Sequence, residues 1–94
     1  MRTLHLTLYR RWFDEIAAGT KREEYRAMTP HWIDRLDGPA YDVAEFRNGY
    51  SAAAPSMRVE IIGLRRHVKI EGVDCYAIQL GRILEIKNYS GPKE

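Results

Sequence analysis

Leu4, Leu6 and Leu8 alternate with Thr3, His5 and Thr7, and a period of two with one apolar face predicts a first strand. Trp12, Phe13, Ile16 and Ala17 then recur at three- and four-residue spacing. That rhythm predicts a short amphipathic helix over Arg10 to Ala18. Gly19 closes it, because a residue without a Cβ takes the left-handed position after a helix at no steric cost. A second helix opens at Thr29-Pro30, where the hydroxyl can accept a backbone N–H and the proline's missing donor costs nothing. Its apolar side is Trp32, Ile33 and Leu36, and Asp37-Gly38-Pro39 ends it.

From Tyr41 the pattern is that of strands. Tyr41 to Arg47 is rich in aromatic and β-forming residues and stops at the Asn48-Gly49 turn signal, and Ser51 to Pro55 reads as a loop. Met57, Val59 and Ile61 alternate, whereas Ile62 and Leu64 continue in the opposite phase, so a bulge is expected near Gly63. Val68 to Ile70 carries the strand on to a turn at Glu71-Gly72. Tyr76, Ile78 and Leu80 alternate on the returning strand, with Gly81 as a second bending point before Ile83 to Ile86. The expected fold is α+β: a compact curved sheet or small β-barrel of five to six strands with two short helices across its openings.

Ninety-four residues make one domain, residues 1–94, and an apolar content of 45% fills one core but not two. Fifteen basic against thirteen acidic side chains leave +2, so a broad electrostatic footprint for polyanions is not expected and any nucleic-acid contact should be a local pocket. The single Cys75 excludes an internal disulfide framework and reads as a small buried hydrophobe. No apolar run approaches a membrane span, and no apolar targeting segment follows Met1, so a cytoplasmic address is the expectation. His5, His31 and His67 lack ligand-like spacing, and neither a Gly-x-Ser-x-Gly elbow nor a phosphate-cradling glycine loop occurs; no metal or cofactor is expected.

The most pointed stretch is Gly19-Thr-Lys-Arg-Glu-Glu-Tyr-Arg26, three cations and two carboxylates directly behind the first helix. As a strand it puts Glu24 and Arg26 on one face and Glu23 and Tyr25 on the other. Lys21 joins Glu24 only from an irregular turn ahead of the strand. An ammonium, a carboxylate and a guanidinium would then surround one small space. Taken by itself, such a run is more often a solvated face with ion pairs of about 0 to 1 kcal/mol each. Arg65-Arg66-His67-x-Lys69 is a second basic run; alternation sends Arg65, His67 and Lys69 to one face, the polar outside of a hairpin tip. Trp12 and Trp32 sit on apolar helix faces, where core packing is the default and a pocket border the alternative. Tyr9, between strand and helix, faces the same choice.

Gly19, Lys21, Glu24 and Arg26 match the Gly-x-Lys-x-x-Glu-x-Arg pattern of the ASCH family, which the chain resembles also in its leucine-alternating first strand, its helix into the glycine, its closing hairpin through Ile78-Gln79-Leu80-Gly81 and its Phe46-Arg47-Asn48-Gly49-Tyr50 stretch. The resemblance implies a PUA-like β-barrel and a ligand that is RNA, a nucleotide or a modified nucleoside. It also implies site residues: Lys21, Glu24, Arg26, Arg47, Asn48 and Tyr50 for binding, with Lys21 and Glu24 as the catalytic pair if the chain is an enzyme. One branch of that family deacetylates N4-acetylcytidine with the motif lysine and a threonine, and another is described as a ribonuclease. Here Glu24 stands at the threonine's position, which moves the expectation from that hydrolysis towards recognition. A lysine flanked by Glu23 and Glu24 suits holding an anion better than abstracting a proton. Arg47 would meet phosphate, Asn48 a base edge, and Tyr50 would stack on a ring. A nucleoside- or RNA-processing hydrolase and a ligand-free protein-interaction accessory are the alternatives.

Overall fold

The periodicities resolve, in a computed structural model that describes residues 1–92, into β1 (Thr3–Thr7), α1 (Arg10–Ala18), β2 (Glu23–Ala27), α2 (Pro30–Leu36), β3 (Val43–Arg47), β4 (Ser56–Ile70) and β5 (Val73–Lys87). Both helix boundaries obey their sequence signals. Gly19 takes φ +82° after α1, and the Thr29 hydroxyl accepts the Trp32 N–H at 3.4 Å ahead of Pro30. The expected strand from Tyr41 begins two residues later, at Val43.

The five strands form one mixed sheet in the order β1-β3-β4-β5-β2. β1 runs parallel to β3, while β3–β4, β4–β5 and β5–β2 are antiparallel. The expected barrel is not formed: β1 and β2 are the two edges of the sheet and no backbone ladder joins them. What spans the gap is a side chain. Arg26 Nη2 donates to the Thr7 carbonyl at 3.1 Å. Five strands with strong bulges curl the sheet far enough for this contact, but the edges do not reach ladder distance.

Two register shifts fall where glycine predicted them, while another, between Arg58 and Val59 and opposite Leu84, carries no glycine. Val59 pairs with Ile83, Ile61 with Leu80 and Gly63 with Gln79, so the register slips around both Gly63 and Gly81. A Cβ on Gly81 would lie 2.8 Å from Ile62 Cγ2, so the Ile62 and Glu60 side chains packed over it favour glycine there. A further slip between Arg65 and Val68 puts His67 at φ +56° and overturns the expected alternation of the basic run. Arg65 meets Glu23 at 3.7 Å, Arg66 meets Asp37 at 2.9 Å, and both His67 and Lys69 face Asp74. The run is therefore paired with the protein's own carboxylates.

One core joins Leu4, Leu6 and Leu8 of the first strand and its exit to Phe13 and Ile16 of α1, Phe46, Met57, Val59 and the β5 residues Tyr76, Ile78 and Leu80. Cys75, on the other face of β5, is buried as expected, and so is Ala77, which the alternation in that segment did not foresee. Tyr76 is fully buried and its hydroxyl donates to Asp37 Oδ1 at 2.7 Å, fastening the end of α2 to the sheet. No helix among the described residues is long and apolar enough to cross a membrane.

Candidate functional site

The backbone after α1 places Lys21. The N–H groups of Thr20 and Lys21 both reach back to the Glu15 carbonyl, at 3.0 and 3.1 Å, so the chain winds round the helix end before entering β2. Lys21 thus lies ahead of the strand, in the irregular approach that its meeting with Glu24 requires. Within β2, Glu24 pairs with Ile78 and Arg26 with Tyr76, two core residues, and paired residues share a face. The carboxylate and the guanidinium therefore point inward.

Among the described residues Glu24 is the one charged residue in the core, 6% exposed. Arg26 Nε and Nη2 both converge on Oε2, at 3.0 and 2.8 Å, and Oε1 is left to Lys21 Nζ at 3.6 Å. Each carboxylate oxygen thus has its own cation. The arrangement satisfies a charge that burial would otherwise make costly. Aromatic faces enclose the cations further: Lys21 Nζ lies 5.0 Å from the Trp12 ring centroid and 5.1 Å from that of Tyr25, and the Arg26 guanidinium 5.2 Å from that of Trp32.

Beside this cluster is an open cleft of about 470 Å³, lined by Thr7, Leu8, Tyr9, Trp12, Glu24, Tyr25, Arg26, Ala27 and Tyr50. Four of its walls are aromatic, and the cluster's carboxylate and guanidinium form its polar part. Tyr9 and Tyr50 are 82% and 89% exposed, an unusual condition for large rings that no packing explains. Tyr9 occupies the residue before α1, where its carbonyl accepts the Phe13 N–H at 3.1 Å while its ring stays outside the core. Tyr25 is tied by its hydroxyl to Glu23 at 2.9 Å, and that hydrogen bond, followed by burial, raises its pKa above the ordinary phenol value.

The residues singled out from sequence divide into three groups. Glu24, Arg26 and Tyr50 line the cleft. Lys21 touches Glu24, Trp12 and Tyr25 from behind and itself lines a neighbouring groove. Arg47 and Asn48 stay outside the lining and act on the scaffold: Arg47 Nη2 donates to the Ser51 carbonyl at 2.7 Å, and Asn48 Nδ2 to the Leu8 carbonyl at 2.9 Å. Asn48 thereby ties the exit of β1 to the loop that carries Tyr50, holding Tyr9 and Tyr50 at the same mouth. Trp12, for which core packing was the default and a pocket border the alternative, does both: it packs on the core and lines the cleft. Tyr25 was not foreseen as part of the site, since strand parity sends it away from Glu24. It lines the cleft nevertheless, from the edge strand β2 and beside Glu24 and Arg26.

A second hollow of about 320 Å³ lies beside the end of α2, lined chiefly by aliphatic residues such as Leu4, Leu36, Pro39, Ile61 and Leu64. It gathers less polar chemistry than the aromatic cleft. Among the described residues no group of three or more His, Cys, Asp or Glu side chains is placed to hold a metal ion. Comparison with family models, curated proteins and solved structures gives no match for this chain.

Proposed function

We propose that this chain is an ASCH-like recognition module that binds RNA, a nucleotide or a modified nucleoside, with the base in the aromatic cleft. The observation that carries this reading is the exposure of Tyr9 and Tyr50 at the mouth of a cleft whose polar wall is Glu24 and Arg26. Aromatic faces stack on any base, and a guanidinium beside them supplies donors for a base carbonyl or a phosphate. The volume, about 470 Å³, falls in the range of small-ligand pockets. A PUA-like relation is part of the same proposal, with a curved, unclosed sheet in place of a barrel. Lys21 acts in it as the cation that keeps Glu24 in place. Its ammonium is turned to Glu24 and two ring faces, a position that does not serve proton abstraction from a ligand in the cleft.

Trp12 makes the reading measurable, because a stacked base quenches indole fluorescence. The four ribonucleosides, their monophosphates and short RNA oligomers are titrated against the wild type, Tyr9→Ala and Tyr50→Ala. Loss of a stacking face costs about 1–3 kcal/mol, which is roughly 5- to 150-fold in Kd. The reading fails if no member of the panel gives saturable quenching, or if both tyrosine variants bind as the wild type does.

A further inference from the structure

The groove that Lys21 lines, about 400 Å³, is also bordered by Gly19, Arg22, Glu60, Gly81 and Arg82. It forms where β2 parts from β5. The last contact between them is the Leu80 N–H on the Arg22 carbonyl, at 3.0 Å, after which the chain of Lys21 turns to Glu15. Arg22 therefore stands level with Leu80, and Arg82 follows two residues further along β5, beyond the Gly81 bulge. Both side chains are exposed.

Arg10, Arg11, Arg26, Arg65 and Arg66 each contact a carboxylate, whereas among the described residues Arg2, Arg22, Arg35, Arg47, Arg58 and Arg82 make no ion pair, and of these Arg22 and Arg82 border the same groove. The carboxylate in the groove, Glu60, accepts the Arg82 backbone N–H through Oε1 at 3.2 Å. Lys21 is offset by Glu24. Two guanidinium groups with free donors thus share one groove, and that groove adjoins the aromatic cleft through Lys21, whose ammonium touches Glu24, Trp12 and Tyr25 of the cleft wall.

We infer that Arg22 and Arg82 form a phosphate subsite continuous with the aromatic cleft, so that the ligand is a single-stranded oligonucleotide and not a free nucleoside. The inference rests on the cleft as the base site proposed above. A base seated against Tyr9 and Tyr50 leaves its sugar-phosphate chain to run past Lys21, and guanidinium groups suit the phosphate diester that follows. Phosphate contacts fix register and set salt dependence without reading sequence, so the cleft keeps the role of selecting the base.

The test compares the wild type, the Arg22→Gln/Arg82→Gln double variant and the Tyr9→Ala/Tyr50→Ala double variant, all at exposed positions, after circular dichroism has checked their folding. Each is titrated with the four ribonucleosides and with the four homopolymeric RNA hexamers across a range of salt. The hexamer is expected to bind the wild type at least tenfold more tightly than its nucleoside. The double arginine variant should lose that advantage, with a salt slope reduced by roughly 0.7 to 1.4 for one or two lost phosphate contacts, and keep nucleoside affinity unchanged. Hexamer affinity and salt slope unaltered in the arginine variant overturn the subsite while leaving the aromatic cleft in place. Hexamer binding that ignores the tyrosine variant, or no binding by the wild type, removes the cleft reading and the link between the two subsites with it.

Discussion

Glu24→Gln separates a buried ion cluster from a decorative one. The substitution keeps shape and removes one charge from between Lys21 and Arg26, whose side chains are only 14% and 20% exposed. At the effective dielectric near 20 that suits such sites, the gross attractions at 3.6 and 2.8 Å are about 5 and 6 kcal/mol. Most of this is cancelled by the desolvation of the carboxylate, which the glutamine does not suffer, and Arg26 keeps its bond to Thr7. Removing one partner of a buried pair typically costs about 3–5 kcal/mol. Because both cations retain some water, the expected loss lies at the lower end, about 3 kcal/mol. In a domain of this size that lowers Tm by roughly 12–24 °C. Urea unfolding of the wild type, Glu24→Gln, Lys21→Met and the double variant gives the decisive sign. Lys21→Met should destabilise the wild type, where the ammonium balances Glu24, and should stabilise the Glu24→Gln background, where it is an unbalanced buried charge. A Glu24→Gln loss under about 1 kcal/mol, the range of surface pairs, or a Lys21→Met effect of the same sign in both backgrounds, would falsify the cluster's structural role.

Asp37 and Tyr76 should shape the pH profile at both ends. Hydrogen bonds from Arg66 and Tyr76 lower the Asp37 pKa below 3.8, so its contribution is present above the ordinary carboxylate value and lost as pH falls through the lowered one; Asp37→Asn should flatten that acid limb in urea unfolding. Burial and the bond to Asp37 push Tyr76 from 10.0 up to about 12, so its contribution is complete below pH 10 and disappears as pH rises towards 12. Ultraviolet titration should accordingly show one phenol that ionises only together with alkaline unfolding, absent in Tyr76→Phe. Gly81→Ala should cost about 1–3 kcal/mol, because its Cβ would meet Ile62 at 2.8 Å and Glu60 Cβ at 3.2 Å; Gly63→Ala should cost less, since the nearest obstacle is Oε1 at the movable end of Gln79. Equal losses in thermal melts would count against that account. Asn48→Ala should cost about 1 kcal/mol and weaken ligand binding with it, as the Leu8 carbonyl loses its donor; unchanged binding would show that the mouth of the cleft does not depend on this tie.

Much of the local structure was legible because its causes are local. The leucine alternation of β1, the helix stop at Gly19, the Thr29-Pro30 start and the slips near Gly63 and Gly81 follow from side-chain period, capping and the lack of a Cβ, which act within a few residues. The meeting of Lys21, Glu24 and Arg26 was legible for the same reason, as three residues within six positions need only a turn before a strand. Where the bulge at His67 broke the alternation, no glycine marked it, and the predicted face was wrong.

The sequence by itself therefore determined the elements, the charge cluster and the glycine-marked bends. Tertiary structure decided which strands meet and what stands beside the cluster. The parallel pairing of β1 with β3, the placing of β2 at the opposite edge and the resulting reach of Arg26 to Thr7 join residues nineteen or more positions apart. Such pairings are selected by how the whole set of apolar faces closes over one core, and no short-range period encodes that choice. The same closure brings Tyr9, Trp12, Tyr25 and Tyr50 to one cleft, so that Glu24 and Arg26 of the charged motif become the polar wall of an aromatic hollow.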